Sequence, residues 1–279
     1  KGDIKRQSDY DVTMAYYDVM KAKYSLDDAE RAMDLAQKDL TIAELEYDLG
    51  TKTKNYLSQF ENAYKSSQIK YESALSELKN KMAALSKEIG KKLNIDNDDI
   101  DMTIGIPDVS SIDLAKIKED YLKNSASFFS LNNSLNTVKY QKFLVEDKYD
   151  YYKDSRSIMS DAIEDGFEEL KYIANRDYDN VKYQYDESIK ELDISLDAQY
   201  SGINTLMDTI ENLKKSIEDT KITVKNNQLR YDLGGLISEI ELEKSKSALK
   251  DLENTLNTAI VNLNIQYLAL TQYSYTREK

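Results

Sequence analysis

The tetrapeptide Tyr-Asp-Leu-Gly occurs twice in this chain, at residues 47–50 and 231–234, and the two copies lie 184 residues apart. Each copy ends a long stretch of helical pattern, and another helical stretch follows it directly. A repeat at this distance indicates two copies of one structural unit, which constrains the architecture more than any single motif. The sequence therefore predicts two helical hairpins, each with Tyr-Asp-Leu-Gly at its bend.

The stretch before each bend has the spacing of a coiled-coil seam. Counted back from Tyr47 in alternating steps of four and three, all positions are apolar or aromatic; 184 residues later, eight of eleven are. Such spacing is typical of helices that pack side by side. The first set is Val12, Ala15, Val19, Ala22, Leu26, Ala29, Met33, Ala36, Leu40, Ala43 and Tyr47. The second set is Leu196, Gln199, Ile203, Leu206, Ile210, Leu213, Ile217, Thr220, Val224, Asn227 and Tyr231.

After the bends the offset becomes 185, because the second copy carries an additional glycine, Gly235. The matching seam positions are Tyr64, Ser67, Tyr71, Ala74, Leu78 and Leu85 in the first copy, and Leu249, Leu252, Leu256, Ala259, Leu263 and Leu270 in the second. Four seams in matching register predict two hairpins of one design. The inserted glycine predicts that the two bends differ in shape.

Each bend also contains signals for ending one helix and starting the next. Gly50, Gly234 and Gly235 are suited to the left-handed backbone conformation that closes a helix. Thr53 and Ser238 each lie three residues past a bend glycine, and both are residue types that cap a helix N-terminus.

The chain divides into three parts. Residues 1–90 form the first hairpin, 91–113 an irregular linker with Gly105 and the only proline, and 114–279 the second repeat. The second repeat starts with a helix over 114–153, which has no counterpart in the first repeat, so we expect the first repeat to be incomplete at its N-terminus. A further helical pattern runs from residue 158 to 233, or roughly 110 Å at 1.5 Å per residue. A helix of that length predicts an all-α rod, tube or barrel.

Composition excludes several classes of function. With one proline and eight glycines in 279 residues, 32% of them charged, the chain fits long helices. Its net charge of −13 argues against nucleic acid as a partner. It contains no cysteine and no histidine, and no catalytic constellation emerges, so we predict a protein that is not an enzyme and needs no cofactor. No apolar stretch approaches the 18 or so residues of a membrane-spanning helix.

An acidic run at residues 96–101 is the one candidate for a metal site. An EF-hand loop needs glycine at its sixth position and glutamate at its twelfth. Asp101 and Pro107 occupy those positions here. We therefore interpret the run as a solvated linker and predict no metal site.

The second bend, Arg230-Tyr231-Asp232-Leu233-Gly234-Gly235-Leu236-Ile237-Ser238, resembles the Arg-Tyr-x-x-Gly-x-x-Ser signature of the TolC-like outer-membrane efflux family. The first bend carries the corresponding Tyr, Gly and Thr, and Ala63 and Ala248 each lie thirteen residues after a bend glycine. The resemblance implies a homotrimeric, hollow α-barrel whose bends form a tip that meets an adaptor protein. The residues that it assigns to adaptor docking are Tyr47, Leu49, Gly50, Thr53, Arg230, Tyr231, Leu233, Gly234, Gly235 and Ser238.

The chain departs from the family pattern in two places. The family's constriction carries acidic residues six and nine positions after the second tip glycine; here these are Glu241 and Lys244, with Tyr56 and Gln59 in the first copy. The family's membrane strands would fall at residues 149–159, which are too few and too charged for two spanning strands. The sequence thus predicts a member without an evident membrane β-barrel, as in a Gram-positive-type cell, or one whose anchor was removed.

The resemblance implies a passive conduit of a tripartite efflux or type I secretion system. Its partners would be copies of itself, a periplasmic adaptor and an inner-membrane transporter, and its location the cell envelope outside the cytoplasm. A structural or adhesive coiled-coil surface protein with no lumen is the alternative. A barrel helix needs an apolar stripe wider than one seam, and Leu35, Ile42 and Leu45 beside the first seam favour the barrel.

Overall fold

The helices are long and begin and end close to where the heptad pattern predicts. The computed structural model describes residues 2–93, 100–154 and 161–272, and all regular structure within these ranges is helical. This confirms the all-α prediction. The elements are α1 (Gly2–Asp48), α2 (Lys54–Ile89), a short 3-10 turn (Val109–Ser111), α3 (Leu114–Asn124), α4 (Ala126–Asp154), α5 (Asp161–Asp232) and α6 (Glu239–Gln272).

The predicted seams are the packed faces of their helices. Every seam position in both repeats is buried or half-buried, except the two bend tyrosines, Tyr47 and Tyr231. Each fully buried Leu or Ile contributes roughly 1.5–3 kcal/mol relative to exposure. The buried seam residues include Val19, Ala22, Leu40, Ala43, Leu78 and Leu85 in the first repeat and Leu196, Ile203, Ile210, Ile217, Leu263 and Leu270 in the second. The register deduced from the repeat is therefore confirmed.

The chain forms two compact units. The first contains Lys1–Asp108 and Gly202–Tyr267, and the second contains Val109–Ser201 and Leu268–Lys279. α5 contributes its C-terminal part to the first unit and its N-terminal part to the second. These units are defined by contacts in space, whereas the division at residues 90 and 113 follows the sequence repeat and stays a prediction.

In the first unit α1 has neighbours on two sides. Val19 and Ala22 pack with α2 residues such as Leu78, while Met20 and Tyr24 pack with Val261 of α6. α6 in turn lies close to α5. The side chain of Gln266 on α6 reaches Gly202 on α5, where a Cβ atom would lie only 2.9 Å from the Gln266 Oε1. The helices of this unit thus follow the order α2, α1, α6, α5.

In the second unit the predicted helix over residues 114–153 is wrong in one respect, because it breaks at Ser125. The backbone of Ser125 is extended, with φ −71° and ψ 125°, and its side chain caps α4 by accepting a hydrogen bond from the N–H of Phe128 at 3.4 Å. A serine can offer the backbone this alternative to helix continuation. The break brings the ring of Phe128 against Tyr121 and Tyr185, with centroids 5.8 Å and 6.2 Å away.

Two segments singled out in the sequence fall partly outside the described residues. Asp96–Asp99 of the acidic run lie there, as do residues 155–159 of the stretch that corresponds to the family's membrane strands. Residues 149–154 are the last residues of α4. Among the helices that the structure describes, none combines the length and the apolar character needed to cross a bilayer.

Candidate docking tip at the two helical bends

The two bends lie side by side at one end of the first unit. α1 and α6 run antiparallel, as shown by ion pairs from Lys38 to Glu243 at 3.2 Å and from Arg31 to Asp251 at 2.7 Å, with Lys244 and Asp39 also paired at 2.8 Å. From the Lys38–Glu243 pair, α1 continues for ten residues to its last residue, Asp48, and the first residue of α6, Glu239, lies four residues before Glu243. Because the helices are antiparallel, the end of α1 and the start of α6 point to the same end. The bends of both repeats therefore form a single surface.

The first bend is a tight, left-handed helix stop. Gly50 has a φ of 71°, and its N–H donates to the carbonyl of Tyr47 at 2.8 Å. The N–H and hydroxyl of Thr51 both donate to the carbonyl of Glu46, at 3.0 Å and 2.7 Å. Thr53 then caps α2 by accepting from the N–H of Tyr56 at 3.3 Å. The predicted roles of Gly50 as a helix stop and Thr53 as a cap are confirmed.

The second bend is wider by one left-handed residue, as the inserted glycine predicts. Gly234 and Gly235 have φ values of 106° and 78°, and the N–H of Gly235 donates to the carbonyl of Tyr231 at 3.0 Å. Ser238 and Glu241 then form a capping box at the start of α6. The N–H of Glu241 donates to the Ser238 hydroxyl at 3.3 Å, and the N–H of Ser238 donates to the Glu241 carboxylate at 2.8 Å.

Large apolar side chains at both bends point into solvent. Leu49 is 78% exposed, Leu233 76% and Leu236 65%. Arg230, Tyr47 and Tyr231 are also exposed. Exposed leucines are thus present at both bends, and an exposed apolar patch commonly marks an interaction site.

The four residues assigned to a constriction sit near the starts of α2 and α6. Glu241 belongs to the capping box, and the hydrogen bond from the Ser238 N–H lowers the pKa of its carboxyl. Lys244 pairs with Asp39 on α1. Tyr56 packs on Phe60, with ring centroids 4.9 Å apart and the Lys52 ammonium 4.8 Å from its ring, and Gln59 is exposed. Their lining of a pore stays a prediction.

A groove between α1 and α6 adjoins the tip, and sequence reasoning missed it. Its volume is about 400 Å³, and its walls include Thr41 and Ile42 of α1 and Ile240 and Glu243 of α6. The two helices come from different repeats, so no local pattern pairs them. The exposed Ile42 beside the first seam was the signal that could have indicated it.

A polar cluster further along the same interface was also missed. Asn254 of α6 is only 4% exposed, and its amide donates to the carboxylates of Asp27 at 2.8 Å and Asp28 at 2.7 Å. Arg31 binds both carboxylates and reaches Asp251 of α6 at 2.7 Å. Burial alone would raise the pKa of Asp27, but the hydrogen bonds from Asn254 and Arg31 outweigh it and hold that pKa below its usual value.

Comparison with known proteins gives a likeness in structure and none in sequence. No protein-family profile and no curated protein matches the chain. Among solved structures, the outer membrane protein VceC of Vibrio cholerae matches over 95% of this chain and 69% of its own length, with a TM-score of 0.60 and 13% identity. The CmeC outer membrane channel of Campylobacter jejuni matches over 98% of this chain and 64% of its own, with a TM-score of 0.59 and 12% identity.

A third structure, the transmembrane channel protein CusC, matches over 95% of this chain and 78% of its own, with a TM-score of 0.59 and 13% identity. This chain thus spans between 64% and 78% of the length of these three proteins. At such identities the likeness concerns the fold alone. The resemblance to the TolC-like family predicted from the bends is confirmed at that level, because the chain has the helical fold of these channels.

Proposed function

We propose that this chain is the wall-forming subunit of a TolC-like duct in the cell envelope, outside the cytoplasm. It assembles as a homotrimer and acts as a passive conduit of a tripartite efflux or type I secretion system. It docks an adaptor protein, which works together with an inner-membrane transporter. One observation carries the proposal. The bends of both repeats lie at the same end of the first unit and expose Leu49, Leu233 and Leu236 there.

The packing of α1 supports a wall rather than a solid bundle. Its seam residues face α2, while Met20 and Tyr24 face α6. A helix with neighbours on two sides, in a row of helices, is the arrangement that a tube wall needs. Transport through a tube requires a lumen, a docking surface and a tip that opens. It requires no reacting side chain, which agrees with the absence of histidine and cysteine from the sequence.

The contacts between the two hairpins support a tip that can change its width. Near the bends α1 and α6 are joined by two ion pairs in which both lysine side chains are half-exposed. Exposed ion pairs contribute only about 0–1 kcal/mol each. Each hairpin, by contrast, is held by a long and largely apolar seam. We therefore place the moving contact between the hairpins, with Glu241 and Lys244 at the second bend and Tyr56 and Gln59 at the first lining the opening.

Adaptor docking is tested by measuring the affinity of the purified protein for the purified membrane-fusion adaptor of the same organism. Leu49→Asp and Leu236→Asp place charge on the exposed apolar surface of the tip, and we expect each to weaken binding at least tenfold. Ile69→Asp is the matched control, because Ile69 is also exposed but lies on α2 away from the bends. Equally strong binding by all three variants would show that the adaptor docks elsewhere on the protein. A wild-type protein that does not bind the adaptor would contradict the proposed partnership.

A further inference from the structure

Part of the linker between the repeats is packed, although it has no regular secondary structure. The side chains of residues 100–105 alternate in burial. Ile100, Met102 and Ile104 are half-buried, while Asp101 and Thr103 are exposed. This is the alternation of a segment that lies flat on a surface with every second side chain turned inward. We refer to residues 100–105 as the strap.

The first half of the strap is fixed to the first hairpin. Ile100 packs against the buried cluster of α1 and α2 that contains Val19 and Leu85. The hydroxyl of Tyr16 on α1 donates a hydrogen bond to the carbonyl of Asp101. The strap thus begins on the same apolar core that holds α1 and α2 together.

The second half of the strap reaches the second hairpin. Met102 and Ile104 pack on the cluster formed by Met20 and Tyr24 of α1 and Val261 of α6. The Tyr24 hydroxyl donates to the carbonyl of Met102 at 3.3 Å. On α6, the amide of Asn264 donates to the carbonyl of Gly105 at 2.9 Å. One short segment therefore contacts α1, α2 and α6, which belong to both repeats.

The α1–α6 interface changes in character along its length. At the strap it is apolar, with Met20 and Val261 fully buried. Toward the bends come the cluster around Asn254 and then the solvent-accessible ion pairs Lys38–Glu243 and Lys244–Asp39. Buried apolar contacts resist separation more than exposed ion pairs do. The two ends of the interface therefore differ in how readily they part.

We infer that the strap clamps α1 to α6 at the end remote from the bends and makes that end the pivot about which the two hairpins separate. Met102 and Ile104 supply the apolar anchor, while Tyr24 and Asn264 position the strap. The inference concerns contacts within one chain, so it holds or fails independently of whether copies assemble into a duct.

Pairs of spin labels on the two helices test the inference, because the chain contains no cysteine of its own. Thr41→Cys with Glu239→Cys reports on the bend end, and Ser25→Cys with Thr255→Cys reports on the strap end; all four side chains are exposed. Lys38→Glu with Lys244→Glu then sets like charges against each other at the bend end. We expect the bend-end distance to widen and the strap-end distance to keep its wild-type distribution. Adding Glu243→Lys and Asp39→Lys restores opposite charges and should reverse the widening.

The second arm removes the anchor. In the background of repelling charges, Met102→Ser with Ile104→Ser should widen the strap-end distance as well. Ile106→Ser is the matched control, since Ile106 is in the same linker but exposed. Should the double variant lose its helical circular dichroism, Tyr24→Phe removes only one hydroxyl and should still broaden the strap-end distribution. The inference is overturned if the repelling charges widen both pairs equally in the intact strap, or if strap variants leave the strap-end distance unchanged.

Discussion

Lys244 of α6 and Asp39 of α1 form an ion pair at 2.8 Å that joins the two repeats near their bends. The family pattern predicts an acidic residue at the position of Lys244. The structure gives this lysine a partner in the Asp39 carboxylate. An acidic residue at the same position would instead be repelled by Asp39. At this position the chain thus carries an attraction between its two hairpins.

This ion pair should be measurable as a coupling between two substitutions. We expect Lys244→Ala and Asp39→Ala each to lower the free energy of unfolding slightly, and their coupling energy to be below about 1 kcal/mol, since the Lys244 side chain is half-exposed. Urea unfolding of the two single variants and the double variant gives the value at low and at high salt. The coupling should shrink in high salt, and a coupling that is insensitive to salt would contradict an exposed electrostatic contact.

The buried amide of Asn254 should contribute more to stability than any exposed ion pair. Asn254→Ala removes a buried amide that donates hydrogen bonds to the charged carboxylates of Asp27 and Asp28. Loss of such donors costs about 1–3 kcal/mol. Thr255→Ala on the next, exposed position is the control. Urea unfolding should separate the two variants, and equal stabilities would show that the amide is not structurally important.

Acid should loosen the same interface. The pKa of Asp27 is lowered in the folded chain, so its contribution to stability is present above the ordinary value of about 4 and is lost as pH falls through the folded value. We expect the free energy of unfolding to decrease in that range. Asp27→Asn should flatten this part of the pH profile. An unchanged profile in the variant would assign the acid sensitivity to other carboxylates.

Glycine substitutions should have opposite signs at the second bend and within α5. Gly235 has a φ of 78°, where a side chain strains the backbone, so Gly235→Ala should destabilise the protein by about 1–2 kcal/mol. Gly166 lies inside α5 with open space around it, so Gly166→Ala should stabilise it by roughly 0.5–1 kcal/mol. Thermal unfolding measures both changes. Stabilisation by Gly235→Ala would contradict the left-handed bend.

Features that depend on neighbouring residues in the sequence could be predicted, and features that join distant helices could not. The seam from Val12 to Tyr47 and the stops at Gly50 and Gly234 follow from periodicity and from the freedom of glycine. The pairing of Asp39 with Lys244, or of Asp28 with Asn254, depends on which helix of one hairpin packs against which helix of the other. The sequence repeat does not contain that information. The strap had a visible signal, because Ile100, Met102 and Ile104 alternate with Asp101 and Thr103 inside the predicted irregular linker.

The hollow assembly is the central claim, and negative-stain electron microscopy combined with light scattering tests it most directly. Light scattering on the purified protein at high concentration should give three times the 32.1 kDa mass of one chain. Class averages viewed along the long axis should show a ring with a stain-filled centre. A monomeric mass, or particles that are solid along their axis, would contradict the duct and favour a coiled-coil spacer without a lumen.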